Sequence, residues 1–399
     1  MLQISEKGYL LPASPIRRLI PLANKAKARG VKVYHLNMGQ PDIDSPIEAV
    51  EAMHKLKLSI IEYSPSDGNK SLKTKMVQYY RKRGVNISED NILITDGGSE
   101  AILFTFLATL NPGDEVIVPE PYYANYAAFA TITGAVIKTV TATIETNFAL
   151  PAAEEIEKII SPKTKGLILN NPNNPTGYLY SKEEVETLAR VAKKHHLYLY
   201  ADEVYREYCF DGSVHFSALE LPDMDENVVA FDSLSKTFSE CGLRIGAIIT
   251  RNTELLKICM KFCMSRLAPP ALGQIAGEAS YDTSADYFIQ CRKKYTERRN
   301  FTMKALNEMP GVFCPTPKGA FYAIVKLPVD DSDKFAQWLL NDFQHEGETV
   351  MVAPANGFYA TPGLGTQEVR IAYVLKISEL RRALELLAIA LKEYPGKVG

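Results

Sequence analysis

A chain of 399 residues, 46% hydrophobic and 23% charged, is long enough for one large domain and a smaller one, and its 45 basic against 47 acidic residues leave a formal charge of −2. That balance supplies no long-range field to gather nucleic acid or an anionic membrane, so a charged ligand must be held by local groups. The six cysteines (Cys209, Cys241, Cys259, Cys263, Cys291, Cys314) form no CxxC pair and have no matching histidine pair, which argues against a metal site and for a reducing, cytoplasmic compartment.

Met1–Leu22 is interrupted by Glu6, Lys7, Arg17, Arg18 and three prolines, so it has no apolar core of signal-peptide length. No later segment approaches the roughly 20 apolar residues that would span a bilayer. From about residue 90 to 250, short apolar runs alternate with longer stretches of helical period, as in an α/β sheet flanked by helices. Strands are expected at Asn91–Thr95, Glu115–Pro119, Val136–Val140, Gly166–Asn170, Leu197–Asp202, Val228–Asp232 and Ile245–Thr250, which implies one large sheet. An apolar helix is expected over Ile102–Leu110. Another should run from Ser181, with Glu184 completing a capping box and Val185, Leu188, Ala189 and Ala192 on one face, to His195. Beyond 250 the pattern turns to long charged helices, Tyr287–Met309 and Ser378–Lys392, with short strands at Ala320–Leu327 and Val369–Tyr373. The expected division is a large domain over residues 45–300 and a smaller α+β domain from residues 1–44 and 301–399.

The densest chemical signal is Asp232-Ser-Leu-Ser-Lys-Thr-Phe-Ser-Glu-Cys-Gly-Leu-Arg-Ile-Gly246, between two expected strands. A lysine just past a buried strand loses its proton more readily through desolvation and becomes a nucleophilic amine. Ser233, Ser235 and Arg244 bring two hydroxyls and a planar guanidinium suited to a phosphate. Asp202 ends a strand, where open α/β sheets bind ligands, and Tyr205 follows three residues on. In Asn170-Asn-Pro-Asn-Asn-Pro-Thr-Gly177, the density of Asn and Pro demands a specific turn that presents the amide of Asn174. Gly97 and Gly98 bring free N–H groups to a helix start, where a phosphate is at home. Tyr123 stands at a strand end, placed to stack on a planar ring. Taken singly, each feature has a structural alternative: a polar turn, a helix cap at Asp202, a glycine-rich connection, a packing tyrosine.

Together, and in order along nearly the whole chain, these residues resemble the class I/II, fold-type I pyridoxal-phosphate aminotransferases. The resemblance is carried by Asn37-Met-Gly-Gln-Pro-Asp42, Tyr63 with Gly68, Gly97-Gly-Ser99, Pro121-Tyr-Tyr123, Asn171 to Gly177, Asp202 to Tyr205, Ser233 to Gly246 and Val369-Arg-Ile371. It implies an α/β fold whose large domain has a mainly parallel seven-stranded sheet flanked by helices. It also implies pyridoxal 5'-phosphate as cofactor, bound as a Schiff base by Lys236, which later moves a proton. Asp202 would hold the pyridinium proton, Tyr205 and Asn174 the ring 3-oxygen, and Tyr123 the ring face. Gly98, Ser99, Ser233, Ser235 and Arg244 would surround the phosphate, and Tyr63 would reach the phosphate of a neighbouring subunit, which implies a homodimer. Arg370 would grip the α-carboxylate, with the backbone at Gly39 nearby. The expected partners are an amino acid and a 2-oxo acid exchanging nitrogen by a ping-pong mechanism, with no nucleic acid, membrane or metal.

One departure matters. Aspartate aminotransferases of the nearest subgroup often have a lysine at the position of Ser99 for the distal carboxylate of the substrate, so strict aspartate specificity is in doubt. Arg17, Arg18 or Arg266 could replace it, or Phe358 and Tyr359 could line an apolar pocket for aromatic or aliphatic side chains. Two rivals remain at this level: a carbon–sulfur lyase or decarboxylase on the same fold, and a ligand-sensing regulatory domain. The second is disfavoured because the first 36 residues hold no DNA-binding module and no basic excess.

Overall fold

The computed structural model describes residues 2–398, so Met1 and Gly399, the outer ends of the expected small domain, lie outside the described residues. Twelve strands follow in chain order: β1 (Lys32–His35), β2 (Ile92–Asp96), β3 (Glu115–Glu120), β4 (Val136–Thr141), β5 (Thr164–Asn170), β6 (Tyr198–Asp202), β7 (Val228–Ser233), β8 (Ile245–Ile249), β9 (Tyr322–Lys326), β10 (Glu348–Met351), β11 (Ala353–Pro354) and β12 (Glu368–Ala372). Seven of them make the large sheet, in the order β2-β8-β7-β6-β5-β3-β4. Only β8 runs against its neighbours; the remaining pairs are parallel. All seven expected strands are present, with ends displaced by one or two residues.

Both faces of this sheet are buried, which is why its strands read as unbroken apolar runs. Leu167, Leu199 and Ile249 face one core with Leu72 and Met76, while Ile168, Tyr200 and Ile248 face the other with Phe106. The helix Lys182–Lys194 carries its expected cap: Ser181 Oγ accepts from the Glu184 N–H at 3.2 Å, and Glu184 Oε2 accepts from the Ser181 N–H at 2.7 Å. The helix after β2 spans Gly97–Thr109, five residues longer at its start than expected. Glu100 turns back to accept from the Asp96 N–H at 2.8 Å, and Gly97 opens the turn at φ +69°. The apolar periodicity shows only the later part of this helix, because its first turn is polar and glycine-rich.

The remaining strands form two small sheets. β1 pairs in parallel with β10, and β12 lies antiparallel between β9 and β11. A third core joins Leu19, Ala23 and Val33 near the N-terminus with Val325, Leu339 and Leu387 near the C-terminus. The helix Ala285–Asn307 lends Cys291, Tyr295 and Met303 to that same core. No helix among the described residues is long and apolar enough to cross a membrane.

Candidate active site

Parallel pairing aligns the carboxyl ends of β5, β6 and β7, so the turns that leave them lie side by side. Asn174, Asp202 and Lys236 follow those three strands, and the antiparallel β8 returns Arg244 to the same edge. This topology brings residues distant in sequence to one place.

Asp202 is buried at the end of β6. Its carboxylate accepts from the Tyr126 hydroxyl at 2.6 Å and weakly from the Val204 N–H at 3.5 Å, and it has no basic partner among the described residues. Burial pushes its pKa up to about 6, an effect the Tyr126 hydrogen bond partly offsets. Lys236 is half-buried on the short helix Leu234–Thr237 after β7; its Nζ donates to the Gly39 carbonyl at 2.8 Å and lies 3.6 Å from Cys241 Sγ.

Around the start of the helix Gly97–Thr109 the backbone is crowded in a way only glycine permits. A Cβ on Gly97 would lie 2.2 Å from Arg244 Nη2, and one on Gly246 would lie 2.4 Å from the Gly97 carbonyl carbon. A Cβ on Gly98 would lie 3.6 Å from Ser233 Cβ, so the helix start, Ser233 and Arg244 share one corner. Ser99 is the next residue of that first turn, and Ser235 is buried two residues after Ser233, whose Oγ accepts from the Ser235 N–H at 3.3 Å. Arg244 is steadied by the Asp96 carbonyl at 3.1 Å and its carboxylate at 3.3 Å, and remains partly exposed. Free helix N–H groups, hydroxyls and a guanidinium at one point suit a phosphate.

Arg370 comes from β12. It is 1% exposed, donates to Asn174 Oδ1 at 2.9 Å and to the Asn37 carbonyl at 2.6 Å, and its guanidinium lies 4.5 Å from the Tyr322 ring centroid and 5.1 Å from that of Phe358. Its Nε has no partner, and no carboxylate pairs with it among the described residues. Burial pulls its pKa down from the ordinary guanidinium range, although it stays cationic. Asn174 also donates to the Tyr205 hydroxyl at 3.5 Å, which shares a 2.9 Å hydrogen bond with Tyr322. Tyr123 is half-buried and meets Tyr126 edge-on at 5.4 Å.

A sequence profile described as "Aminotransferase class I and II" matches residues 31–387. The chain belongs to the class I and II aminotransferases. It is 31% identical to an aspartate aminotransferase of Pyrococcus horikoshii, with 98% of this chain and 97% of that protein covered. It is 30% identical to aromatic-amino-acid aminotransferase 2 of Thermococcus litoralis, covering 98% of each. Its fold superposes on the alanine aminotransferase of Pyrococcus furiosus with a TM-score of 0.90 at 28% identity, over 98% of this chain and all of that one. Like its class, it is a pyridoxal-phosphate-dependent enzyme that transfers the amino group of an amino acid to a 2-oxo acid. The relatives' names divide among acidic, aromatic and small neutral amino acids, so likeness alone does not choose the side chain.

The residues present fit that cofactor. Asp202 is a buried carboxylate short of a cation, which a protonated ring nitrogen would supply, and the corner at Gly97, Ser233 and Arg244 gathers helix N–H groups, hydroxyls and a guanidinium around which a phosphate would fit. Sequence reasoning missed Tyr126 and Tyr322, and it named Asn37 within a motif without giving it the role of acceptor for Arg370. Tyr126 had a signal, as the third tyrosine of a cluster with Tyr122 and Tyr123. Tyr322 had none: it shares a face with Arg370 because Ile324, two residues along, pairs with Arg370 in register.

Tyr63, expected to reach a neighbouring subunit, stands 81% exposed in its own chain. Other expectations change. Arg18 is committed to Asp333, and Arg266 to Glu100 at 3.6 Å and to the Ser66 and Ile94 carbonyls at 3.3 Å. Phe358 is fully buried beneath Arg370, and Tyr359 donates to Glu368 at 2.7 Å, so neither is free to line an apolar substrate pocket. A cavity of about 520 Å³ beside Arg83, Glu207 and Arg292 contains none of the expected site residues. No group of three or more His, Cys, Asp or Glu among the described residues is arranged to hold a metal.

Proposed function

We propose that Lys236, Asp202 and Arg370 carry the transamination, and the observation that supports this best is Arg370, a buried guanidinium with no carboxylate beside it. A buried cation is costly without an anion, and every amino acid and 2-oxo acid brings one in its α-carboxylate. Asn174 and the Asn37 carbonyl fix the guanidinium and leave Nε free to complete the grip. When bound, pyridoxal phosphate supplies an aldehyde that takes up the amino group and a ring that delocalises the electron pair left on the α-carbon. Asp202 would keep the ring nitrogen protonated, while Asn174 and Tyr205 would hold the ring 3-oxygen and Tyr123 would pack on the ring face. Gly98, Ser99, Ser233, Ser235 and Arg244 would hold the phosphate. Lys236 would take the proton from the substrate α-carbon and give it back as general base and acid, and the Gly39 carbonyl, which accepts from its amine at 2.8 Å, sets its starting position.

The division into a large domain (45–300) and a small one (1–44 with 301–399) gives this chemistry a closing motion. Asp202 and Lys236 lie on the first and Arg370 on the second, so substrate binding draws the two together and excludes water. We also infer a homodimer. Tyr63 lies in a stretch with exposed Leu58, Ile60 and Ile61. An exposed apolar stretch of this kind is suited to a second copy, whose phosphate Tyr63 would reach. The six unpaired cysteines support a cytoplasmic location.

Mixing the purified, cofactor-loaded protein with an amino acid should convert the absorbance of the cofactor's aldehyde form to that of its amine form, with release of a 2-oxo acid. Release of ammonia without that conversion would favour a lyase on this fold and sink the transaminase assignment.

A further inference from the structure

We propose that Tyr322 is a positioning residue, whose hydroxyl aims the proton of Tyr205 at the cofactor's 3-oxygen and whose ring bears the Arg370 guanidinium. The proposal rests on the reading above, in which Tyr205 serves the 3-oxygen, Lys236 moves the proton and Arg370 holds the α-carboxylate.

Tyr322 stands on β9, 2% exposed, where the sheet sets it opposite Ala372, two residues beyond Arg370 on β12. Its ring and its hydroxyl meet different members of the site. The ring lies 4.5 Å from the Arg370 guanidinium and meets the Tyr205 ring edge-on at 5.5 Å. The hydroxyl shares a 2.9 Å hydrogen bond with the Tyr205 hydroxyl and lies 3.5 Å from the Gly39 carbonyl oxygen. A Cβ on Gly39 would come within 1.8 Å of that hydroxyl, so a residue without a side chain is needed where Tyr322 stands.

Counting protons gives the hydroxyl its role. A guanidinium has no acceptor, so Asn174 must turn Oδ1 towards Arg370, at 2.9 Å, which leaves Nδ2 to donate to Tyr205 at 3.5 Å. The Gly39 carbonyl is already supplied by Lys236 Nζ at 2.8 Å. Tyr322 has one proton, and its nearer acceptor is Tyr205. Tyr205 therefore receives from both Asn174 and Tyr322, and its own proton is free to point at a ligand. Burial keeps that proton on Tyr205 by pushing its pKa well up. Hydrogen bonds in such a chain polarise one another, so the donor from Tyr322 strengthens the bond that Tyr205 offers. In the proposed domain division Tyr322 belongs to the small domain and Tyr205 to the large one, so closing the site and readying Tyr205 become one event.

The test compares cofactor-loaded Tyr322→Phe, which keeps the ring, and Tyr322→Leu, which loses it, with the unaltered chain. Absorbance is titrated from about pH 5 to 10, the Kd for unreactive propionate is read from the same absorbance, and kcat and KM are measured for alanine. A weaker donor at the 3-oxygen leaves more negative charge there, which holds the proton beside the Lys236 nitrogen more tightly. Tyr322→Phe should therefore move the absorbance midpoint up by roughly 0.3–0.7 pH unit, the share of a charge-assisted bond that polarisation along the chain supplies. It should also lower kcat while the propionate Kd stays within about twofold. Tyr322→Leu should in addition weaken propionate by roughly 3- to 30-fold, the worth of a desolvated cation–π contact. A Tyr322→Phe midpoint within about 0.1 unit of the original would overturn the assignment, with or without a lowered urea midpoint, and so would a Tyr322→Leu variant that binds propionate as tightly as Tyr322→Phe. The underlying reading fails separately, by Lys236→Ala retaining the pH-dependent absorbance or Arg370→Lys leaving the propionate Kd intact.

Discussion

Arg299 and Arg370 are buried almost equally, 2% and 1% exposed, and keep opposite company. Arg299 forms a two-pronged pair with Asp211, both contacts at 2.7 Å, and adds the Pro317 carbonyl at 3.0 Å. Arg370 has two neutral acceptors and an idle Nε. The same contrast recurs between acids on adjacent strands: Asp232 receives Arg206 and the Tyr80 hydroxyl, each at 2.8 Å, whereas Asp202 receives no cation. Arg299 and Asp232 are matched by opposite charges within the fold, whereas Arg370 and Asp202 are not. In the proposed site, ligand and cofactor charges would complete what the chain leaves open.

The widest separation should come from replacing each arginine by methionine. Arg370→Met should cost roughly 2–5 kcal/mol in kcat/KM for every amino donor alike, a loss of about 30-fold to several thousandfold, with urea stability unchanged or higher. Arg299→Met should leave the half-reaction rate nearly intact and lower stability by about 1–3 kcal/mol, limited because Asp211 reaches solvent. Urea midpoints with single-turnover kinetics on both variants decide it. Should Arg370→Met be the one that unfolds, the contrast between matched and unmatched charge is wrong.

Asp202 sharpens the same contrast through pH. Its folded pKa of about 6 exceeds its ordinary 3.8, so the cofactor-free folded chain binds that proton more tightly than the unfolded chain. The associated stability is full below about pH 4 and is lost as pH rises through about 6, amounting to roughly 2–3 kcal/mol. Asp202→Asn should remove this decline, making the cofactor-free variant more stable at pH 8 by a similar amount while it loses activity. Buried Glu203 and Glu240, raised to about 7 and about 8, give declines at higher pH that persist in the variant. Thermal melts of cofactor-free protein between pH 4 and 9 would show it, and a variant melting curve that tracks the original across that range would remove Asp202 from the account.

How much of this was legible in the sequence depended on whether a residue's role is local. Lys236, Asp202 and Asn174 were readable because each follows a buried apolar run directly, and parallel pairing then aligns their turns without further information. Arg370 was readable only through resemblance, since nothing near it in sequence marks its strand as facing the site. Tyr322 depends on the register between β9 and β12, which no local pattern fixes. Arg17, Arg18 and Arg266 were equivalent in sequence and became distinct only when Asp333 and Glu100 claimed the latter two. The helix Gly97–Thr109 began early for the same reason: the bond from Glu100 back to Asp96 carries no hydrophobic period.

Tyr63 tests whether the unmatched charges are completed by one chain or two. Tyr126 reaches Asp202 within its own chain at 2.6 Å, whereas Tyr63 points its phenol into solvent from an apolar stretch. A lone surface tyrosine gains little from that position, but one that crosses to a partner's phosphate makes a hydrogen bond to a charged group. Tyr63→Phe should then weaken cofactor retention by about 1.5–3 kcal/mol, read by dialysis against rising phosphate, while sedimentation shows an unchanged dimer. The combination is informative because, in the proposed dimer, the exposed apolar neighbours Ile60 and Ile61 would hold the copies together whether or not the hydroxyl is present. A monomer with unaltered retention would mean that Arg244 and the helix start at Gly97 complete the phosphate site alone, and that the exposed apolar stretch serves another contact.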